Sequence, residues 1–253
     1  MNWMLLLELF LGFGIGLSLG LLGGGGSLLT VPALVYLVGQ TPQAAVTTSL
    51  AIVGANSMVG ALFHSSHGRL DWKVALAFGS AGMLVSYLSA GISRGISPEW
   101  LLIAFAVLML VIGLAMLLRR PAEGESTYAA RPLWFVFASG AGVGLLTGIL
   151  GVGGGFLVVP ALVMLVGLPV QTAIGTSLVI IAMNSVAGFL GHIGSGSFDW
   201  IITLTFTAAG LAGTFSGMKL SRRLSSSKLQ KAFAAFVIVL ALFLLFDNLS
   251  KVI

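Results

Sequence analysis

The chain has 253 residues, 58% of them apolar and only 8% charged, with a mean hydropathy of +1.10. Soluble domains average about 45–50% apolar and about 25% charged, so the composition excludes a water-soluble globule and points to an integral membrane protein. Twelve Lys and Arg against seven Asp and Glu give a net charge of +5, which in a membrane protein reflects basic cytoplasmic loops, not nucleic-acid binding.

The other exclusions are chemical. No cysteine is present, which rules out disulfides, thiol catalysis and Cys-ligated metals, and no cofactor is implied. Apolar runs approach twenty residues, the length that crosses a bilayer as helix, without the period-two alternation of a β-barrel. The chain opens Met1-Asn2-Trp3 and carries Glu8, with no Lys or Arg before Arg69. That is not a secretory signal, so the first apolar run is expected to be retained.

In chain order, an apolar run over about 4–22 meets the glycines Gly23–Gly26, and a short apolar piece follows over about 27–38. Spans are predicted over about 43–64, 72–92 and 98–119, and the polar linker comes next. The pattern then recurs: about 133–149, glycines at 151 and 153–155, about 155–166, and spans over about 171–192, 200–220 and 228–247. All five tryptophans fall at span ends, as an interfacial belt requires. No loop is long enough to form a separate domain.

The recurrence is a duplication at an offset of 128 residues, with 28 identities in 53 positions over residues 20–72. A short piece of about 12 residues reaches only about 18 Å as helix, against a hydrocarbon core of about 30 Å. Each glycine weakens a helix by about 1 kcal/mol relative to Ala. The first unit of each half therefore reads as a broken or re-entrant helix hairpin. If each hairpin crosses an even number of times, ten basic residues share one side: Arg69, Lys73, Arg119, Arg120, Arg131, Lys219, Arg222, Arg223, Lys228 and Lys231. Only Arg94 and Lys251 fall opposite. The positive-inside rule then predicts two inverted repeats with both termini outside. The expected fold is an all-α integral membrane protein. Its repeats span 1–120 and 132–253 around a cytoplasmic linker at 121–131, and each is a hairpin followed by three transmembrane helices.

Polar residues inside spans are the candidates for function. Ser49, Asn56, Gly60 and His64 share one helical face, and Ser177, Asn184, Gly188 and His192 repeat it; Thr48 and Ser57 recur as Thr176 and Ser185. This seam either lines a substrate path or supplies interhelical hydrogen bonds. The tips Gly24, Gly25, Gly26, Ser27 and Gly153, Gly154, Gly155 open short helices, with Ser27 as an expected N-cap. Two such helix ends meeting near the midplane would hold an anion without a buried Lys or Arg. His64 and His192 are candidates for proton coupling. Glu8, the only acid well inside a predicted apolar segment, is expected to snorkel from one turn below the outer surface, in preference to acting as a proton relay. Asp71-Trp72 and Asp199-Trp200 read as helix cap plus interfacial anchor. Pro32 and Pro160 are expected early in their short helices, and Gln43 and Gln171 are expected to face the hairpins.

An intramembrane serine protease built on Ser49 or Ser57 with His64 fits poorly, because the motif is duplicated; the chain is not read as an enzyme. Gly12-Phe13-Gly14-Ile15-Gly16 lacks a βαβ setting, and Gly23–Ser27 lacks a P-loop lysine.

GLLGGGGSLLTVPAL and GILGVGGGFLVVPAL, each followed by TSL…NS…GH…G…DW, resemble the TauE/SafE sulfite exporter family across nearly the whole chain. The resemblance implies a multi-pass transporter of the bacterial inner membrane. It would export sulfite or a small organosulfonate by proton-coupled alternating access, its partners being that anion and the lipid bilayer. A passive anion channel and a carrier for small carboxylates are the alternatives.

Overall fold

A computed structural model describes residues 3–66, 68, 70–89, 98–118, 131–150, 155–192 and 199–252. Among these the chain is wholly helical, with no strand. The first half contains α1 (Trp3–Leu22), α2 (Gly25–Pro32), α3 (Pro42–Ser65), α4 (Trp72–Ser89) and α5 (Pro98–Leu118). The second contains α6 (Leu133–Leu150), α7 (Gly155–Ala161), α8 (Val170–His192), α9 (Trp200–Arg223) and α10 (Ser226–Val252). The helices lie where the apolar runs place them, and among the described residues five contain stretches long and apolar enough to cross a membrane: Leu5–Leu22, Ala44–Ser65, Val170–Leu190, Trp200–Ser221 and Ser227–Phe246. The fold is that of an all-α integral membrane protein.

The expected break after the first run occurs at Gly23. Its φ of +74° is left-handed, a conformation that glycine adopts without the steric cost of a Cβ. The chain then doubles back, and Gly26 packs on Ile15 and Leu19 of α1. The eight residues of α2 and the five of a following π turn, Ala33–Leu37, reach about 20 Å, short of a bilayer core. α7 is likewise followed by a π turn, Leu162–Val166.

Two local expectations are corrected. Pro32 ends α2 and Pro160 lies next to last in α7, so neither sits early in its helix. A proline lacks the N–H of the i→i−4 ladder and crowds the carbonyl four residues back, and a π turn follows each one. Ser27 is not the N-cap of α2. Gly24 holds that position, and the Ser27 hydroxyl donates back to the Gly24 carbonyl at 2.7 Å. The aspartate caps do form: Asp71 accepts from Val74 N, and Asp199 from Ile201 N and Ile202 N.

The halves are interleaved. α1 packs most extensively on α9, and its counterpart α6 on α4; α3 pairs with α8 and α5 with α10. Along α1 and α9, Gly12 meets Phe206, Gly16 meets Gly210 and Gly20 meets Thr214, so these helices run parallel. A Cβ at Gly16, Gly20, Gly213 or Gly217 would overlap facing backbone, which is the small-residue packing of membrane helices. α4 and α6 are also parallel, with Gly140 on Phe78 and Gly144 on Gly82. α3 and α8 are antiparallel: Gly60 faces Leu178, Gly54 faces Ser185 and Leu50 faces Gly188. α5 and α10 are antiparallel too, closed by Gln230 Nε2 donating to the Met116 carbonyl at 2.6 Å. The main core gathers around α7, its π turn and α8, where Phe156, Leu162, Ile174 and Leu178 are fully buried.

Candidate functional site

The two glycine-opened short helices meet. A Cβ at Gly24 would overlap the Gly155 carbonyl, and one at Gly155 would overlap the Ser27 hydroxyl. α8 closes the first break from the side: Ser177 Oγ lies 2.7 Å from the Gly23 carbonyl and 2.8 Å from that of Ile174, and donates its single proton there. Gly25 belongs to α2 beside them. Gly151 to Gly154, which include the predicted Gly153 and Gly154, lie outside the described residues.

The polar seam divides into two sets. Ser49 donates to the Val46 carbonyl at 2.9 Å, and Thr176 Oγ1 accepts from Asp71 N at 3.1 Å. With Ser177, these hydroxyls are used in holding the fold. Ser185 packs beside Gly54 at the α3–α8 crossing. The second set has buried polar atoms without a hydrogen-bond partner: Thr48 Oγ1, both amide atoms of Asn56, Ser57 Oγ and Asn184 Oδ1. An unsatisfied buried polar group costs about 1–3 kcal/mol, and native proteins hold few of them. Asn56 is the extreme case, fully buried with neither the carbonyl nor the amino group satisfied.

The two asparagines occupy corresponding places in different interfaces. The Asn56 amide rests on Gly210, which itself faces Gly16. Asn184 lines a small cavity with Gly82, Gly144 and Val158. Gly82 and Gly144 are Gly210 and Gly16 displaced by 128 residues. The cavity measures about 10 Å³, room for one water at most.

Thr214 was missed by the sequence reading. It is fully buried, its hydroxyl has no hydrogen-bond partner, and its methyl lies one helical turn from the Asn56 level, beside Gly60. The available signal was the i, i+4 pair Gly210 and Thr214 facing the stripe Gly12, Gly16, Gly20.

Other candidates lie at the periphery. His64 is buried in the last turn of α3, 6.2 Å from the Phe63 ring. The side chains of His192 and Gln43 lie outside the described residues. Gln171 Nε2 donates to the Leu224 carbonyl between α9 and α10. Glu8 meets Thr205 Oγ1 at 3.2 Å across the α1–α9 contact. Among the described residues no group of His, Asp and Glu is arranged to hold a metal ion.

Long apolar helices, two short helices that open on glycine and unsatisfied polar groups in the core fit a polytopic membrane transporter. The family model described as "Sulfite exporter TauE/SafE" matches residues 8–244. The chain belongs to the TauE/SafE family. It is 34% identical over 245 residues to a "Probable membrane transporter protein" of Xylella fastidiosa (strain 9a5c), covering 94% of each chain. It is 26% identical over 257 residues to "Probable membrane transporter protein YunE" of Bacillus subtilis (strain 168), covering 90% of this chain and 93% of that one. Against "Probable membrane transporter protein YfcA" of Escherichia coli (strain K12) it is 28% identical over 230 residues, covering 87% and 80%.

Proposed function

We propose that the protein is a secondary active transporter that exports a small sulfur-containing anion, sulfite or an organosulfonate, across the bacterial inner membrane. The observation that carries this reading is Asn56, an amide held in the core with every polar atom unsatisfied. Such a group supplies N–H donors to an anionic oxygen while keeping the protein neutral there, so release stays possible. Hydrogen bonds to a charged partner contribute about 1.5–3 kcal/mol each. The family's description supplies the choice of sulfite.

In this reading the substrate site lies between the tips Gly24–Ser27 and Gly153–Gly155 and the polar groups of Asn56, Ser57, Thr48 and Asn184. Thr176, Ser177, Ser49 and Ser185 frame it. The asparagines' separate interfaces support two equivalent half-sites flanking the tips, visited in turn. The narrow cavity beside Asn184 supports a carrier over an open pore, because α4, α6 and α8 must part before an anion enters.

The repeats 1–120 and 132–253 act as one inverted membrane domain with both termini outside and the 121–131 linker inside. The antiparallel crossings of the equivalent helices α3 with α8 and α5 with α10 support this. So does the gathering of Lys73, Arg131, Lys219, Arg223, Lys228 and Lys231 at helix ends that the pairing directions bring to one side. Export is coupled to protons, and the chain carries out no covalent chemistry.

Reconstituted protein tests the reading. Sulfite accumulates in proteoliposomes against its own gradient when a pH gradient is imposed, and sulfate and acetate compete weakly. Downhill flux alone would make it a channel, and acetate transport in place of sulfite would make it a carboxylate carrier.

A further inference from the structure

Glu8 is the only titratable residue of α1 and sits inside an 18-residue apolar stretch. It is the fourth residue of that stretch, one turn from its start, where a long polar side chain can reach the interface and exchange a proton with water. It is half-buried, on the face of α1 that continues through Gly12, Gly16 and Gly20. This is the stripe that packs on α9.

The hydrogen bonding at Glu8 has two forms. Thr205 Oγ1 lies 2.7 Å from the Ile201 carbonyl, 3.0 Å from that of Ile202 and 3.2 Å from Glu8 Oε2. A hydroxyl has one proton to donate. When Glu8 is ionised, it accepts the hydrogen bond of that hydroxyl and the Ile201 carbonyl keeps only its backbone donor. When Glu8 is protonated, its own O–H donates to Thr205 Oγ1 and the threonine returns to Ile201. Gain or loss of one proton, exchanged with water at that end of the helix pair, moves a hydrogen bond between the backbone of α9 and the α1–α9 contact.

The pair also breaks the internal symmetry. The residues equivalent to Gly12 and Phe206 are Gly140 and Phe78, and that contact is reproduced. The equivalents of Glu8 and Thr205 are Val136, which is buried, and Ala77. A carboxyl and its hydroxyl partner have been placed in one half where the other keeps apolar packing.

We propose that Glu8 and Thr205 form the site that binds the coupling proton. This rests on the proton-coupled transporter reading above. The site lies about 12 Å along α1 from the level of Gly16, Gly210 and Asn56. α1 and α9 join the two repeats backbone to backbone, so a change in how they are tied at Glu8 acts on the Asn56 level through a stiff element. No other charge faces Glu8 at close range among the described side chains. On α9, Asp199 caps its own helix start, while Lys219 and Arg223 lie at the opposite end. α2 carries no titratable group, and the histidine of α3, His64, is in its last turn. On α10, Lys228 and Lys231 are at the far end, and the side chains of Asp247 and Lys251 lie outside the described residues.

The test uses the purified full chain reconstituted in liposomes, with sulfite as the probe and Glu8→Gln, Thr205→Val and His64→Gln as variants. Sulfite counterflow, which needs no net proton movement, continues in Glu8→Gln, but accumulation driven by a pH gradient is lost. Thr205→Val shifts the pH profile of accumulation, and His64→Gln keeps the drive. Infrared difference spectra between acid and alkaline pH need no substrate. They show a protonated-carboxyl stretch that disappears in Glu8→Gln and moves in frequency in Thr205→Val. Gradient-driven accumulation in Glu8→Gln overturns the proposal. If wild type fails to move sulfite, the substrate reading falls and the infrared titration decides alone, a spectrum without a Glu8 band overturning the proton site. If Glu8→Gln does not fold, Thr205→Val decides: an unchanged pH profile and carboxyl band overturn it.

Discussion

The amide of Asn56 rests directly on Gly210, so closely that a Cβ on Gly210 would overlap the amide nitrogen. Gly210 at the same time receives Gly16 of α1. Glycine is required there by space on two sides. Gly210→Ala is expected to push the Asn56 amide out of place, to cost about 1–3 kcal/mol in overpacking and to abolish sulfite flux. Gly82→Ala, its equivalent, is milder, because the nearest atom to the added Cβ is the Gly140 carbonyl oxygen at 3.3 Å. Thermal melting in detergent and flux in liposomes, measured on both variants, would show the asymmetry; equal effects would contradict it.

Function and stability should oppose each other at Asn56. Its amide is fully buried and unsatisfied, so an apolar residue of similar size removes a penalty of about 1–3 kcal/mol. Asn56→Leu is expected to melt at higher temperature than wild type while losing substrate binding. Asn56→Ala and Asn184→Ala should each weaken binding by roughly 1–3 kcal/mol without unfolding the protein. An Asn56→Leu protein that melts lower would show that the amide is satisfied in the native state.

Two glycines on α1 separate packing from helix propensity. A Cβ at Gly16 would overlap the Gly210 backbone, whereas nothing lies within 4 Å of one at Gly14. Gly14→Ala is expected to stabilise by up to about 1 kcal/mol through propensity alone. Gly16→Ala should destabilise by separating α1 from α9. Melting curves in one detergent suffice, and similar shifts for the two would remove the close helix contact.

Orientation is open to direct labelling. Single cysteines replacing Ser126 and Ser226 are expected to be shielded from an impermeant thiol reagent in intact cells, and one replacing Ser195 to react. Reaction at only one of the first two would put the end of α5 and the start of α10 on opposite faces and exclude inversion.

Much of the fold was legible because it depends on local chemistry. Span lengths follow from apolar runs, the break at Gly23 from a cluster of glycines, and the helix starts at Asp71 and Asp199 from their carboxylates. The Pro32 and Pro160 positions were misread because a π turn leaves no periodic signature in two turns of apolar sequence. The site was legible only as a list of residues. Spacing along α3 put Ser49 with Asn56, but the Ser49 hydroxyl is used by its own helix and the Asn56 amide is not.

The sequence alone determined the duplication, the membrane class and a set of candidate polar residues. Each follows from composition, run length or the 128-residue repeat, which are properties of the chain read along itself. Helix partners were decided by tertiary structure. These helices are apolar around much of their circumference, so hydropathy does not say which face meets which neighbour. The choice rests on backbones close enough to exclude a Cβ, as at Gly16 and Gly210, and such shape matching exists only once both helices are placed. The same placement put Asn56 and Asn184 in separate interfaces and brought Thr205 to Glu8 across 197 residues of chain.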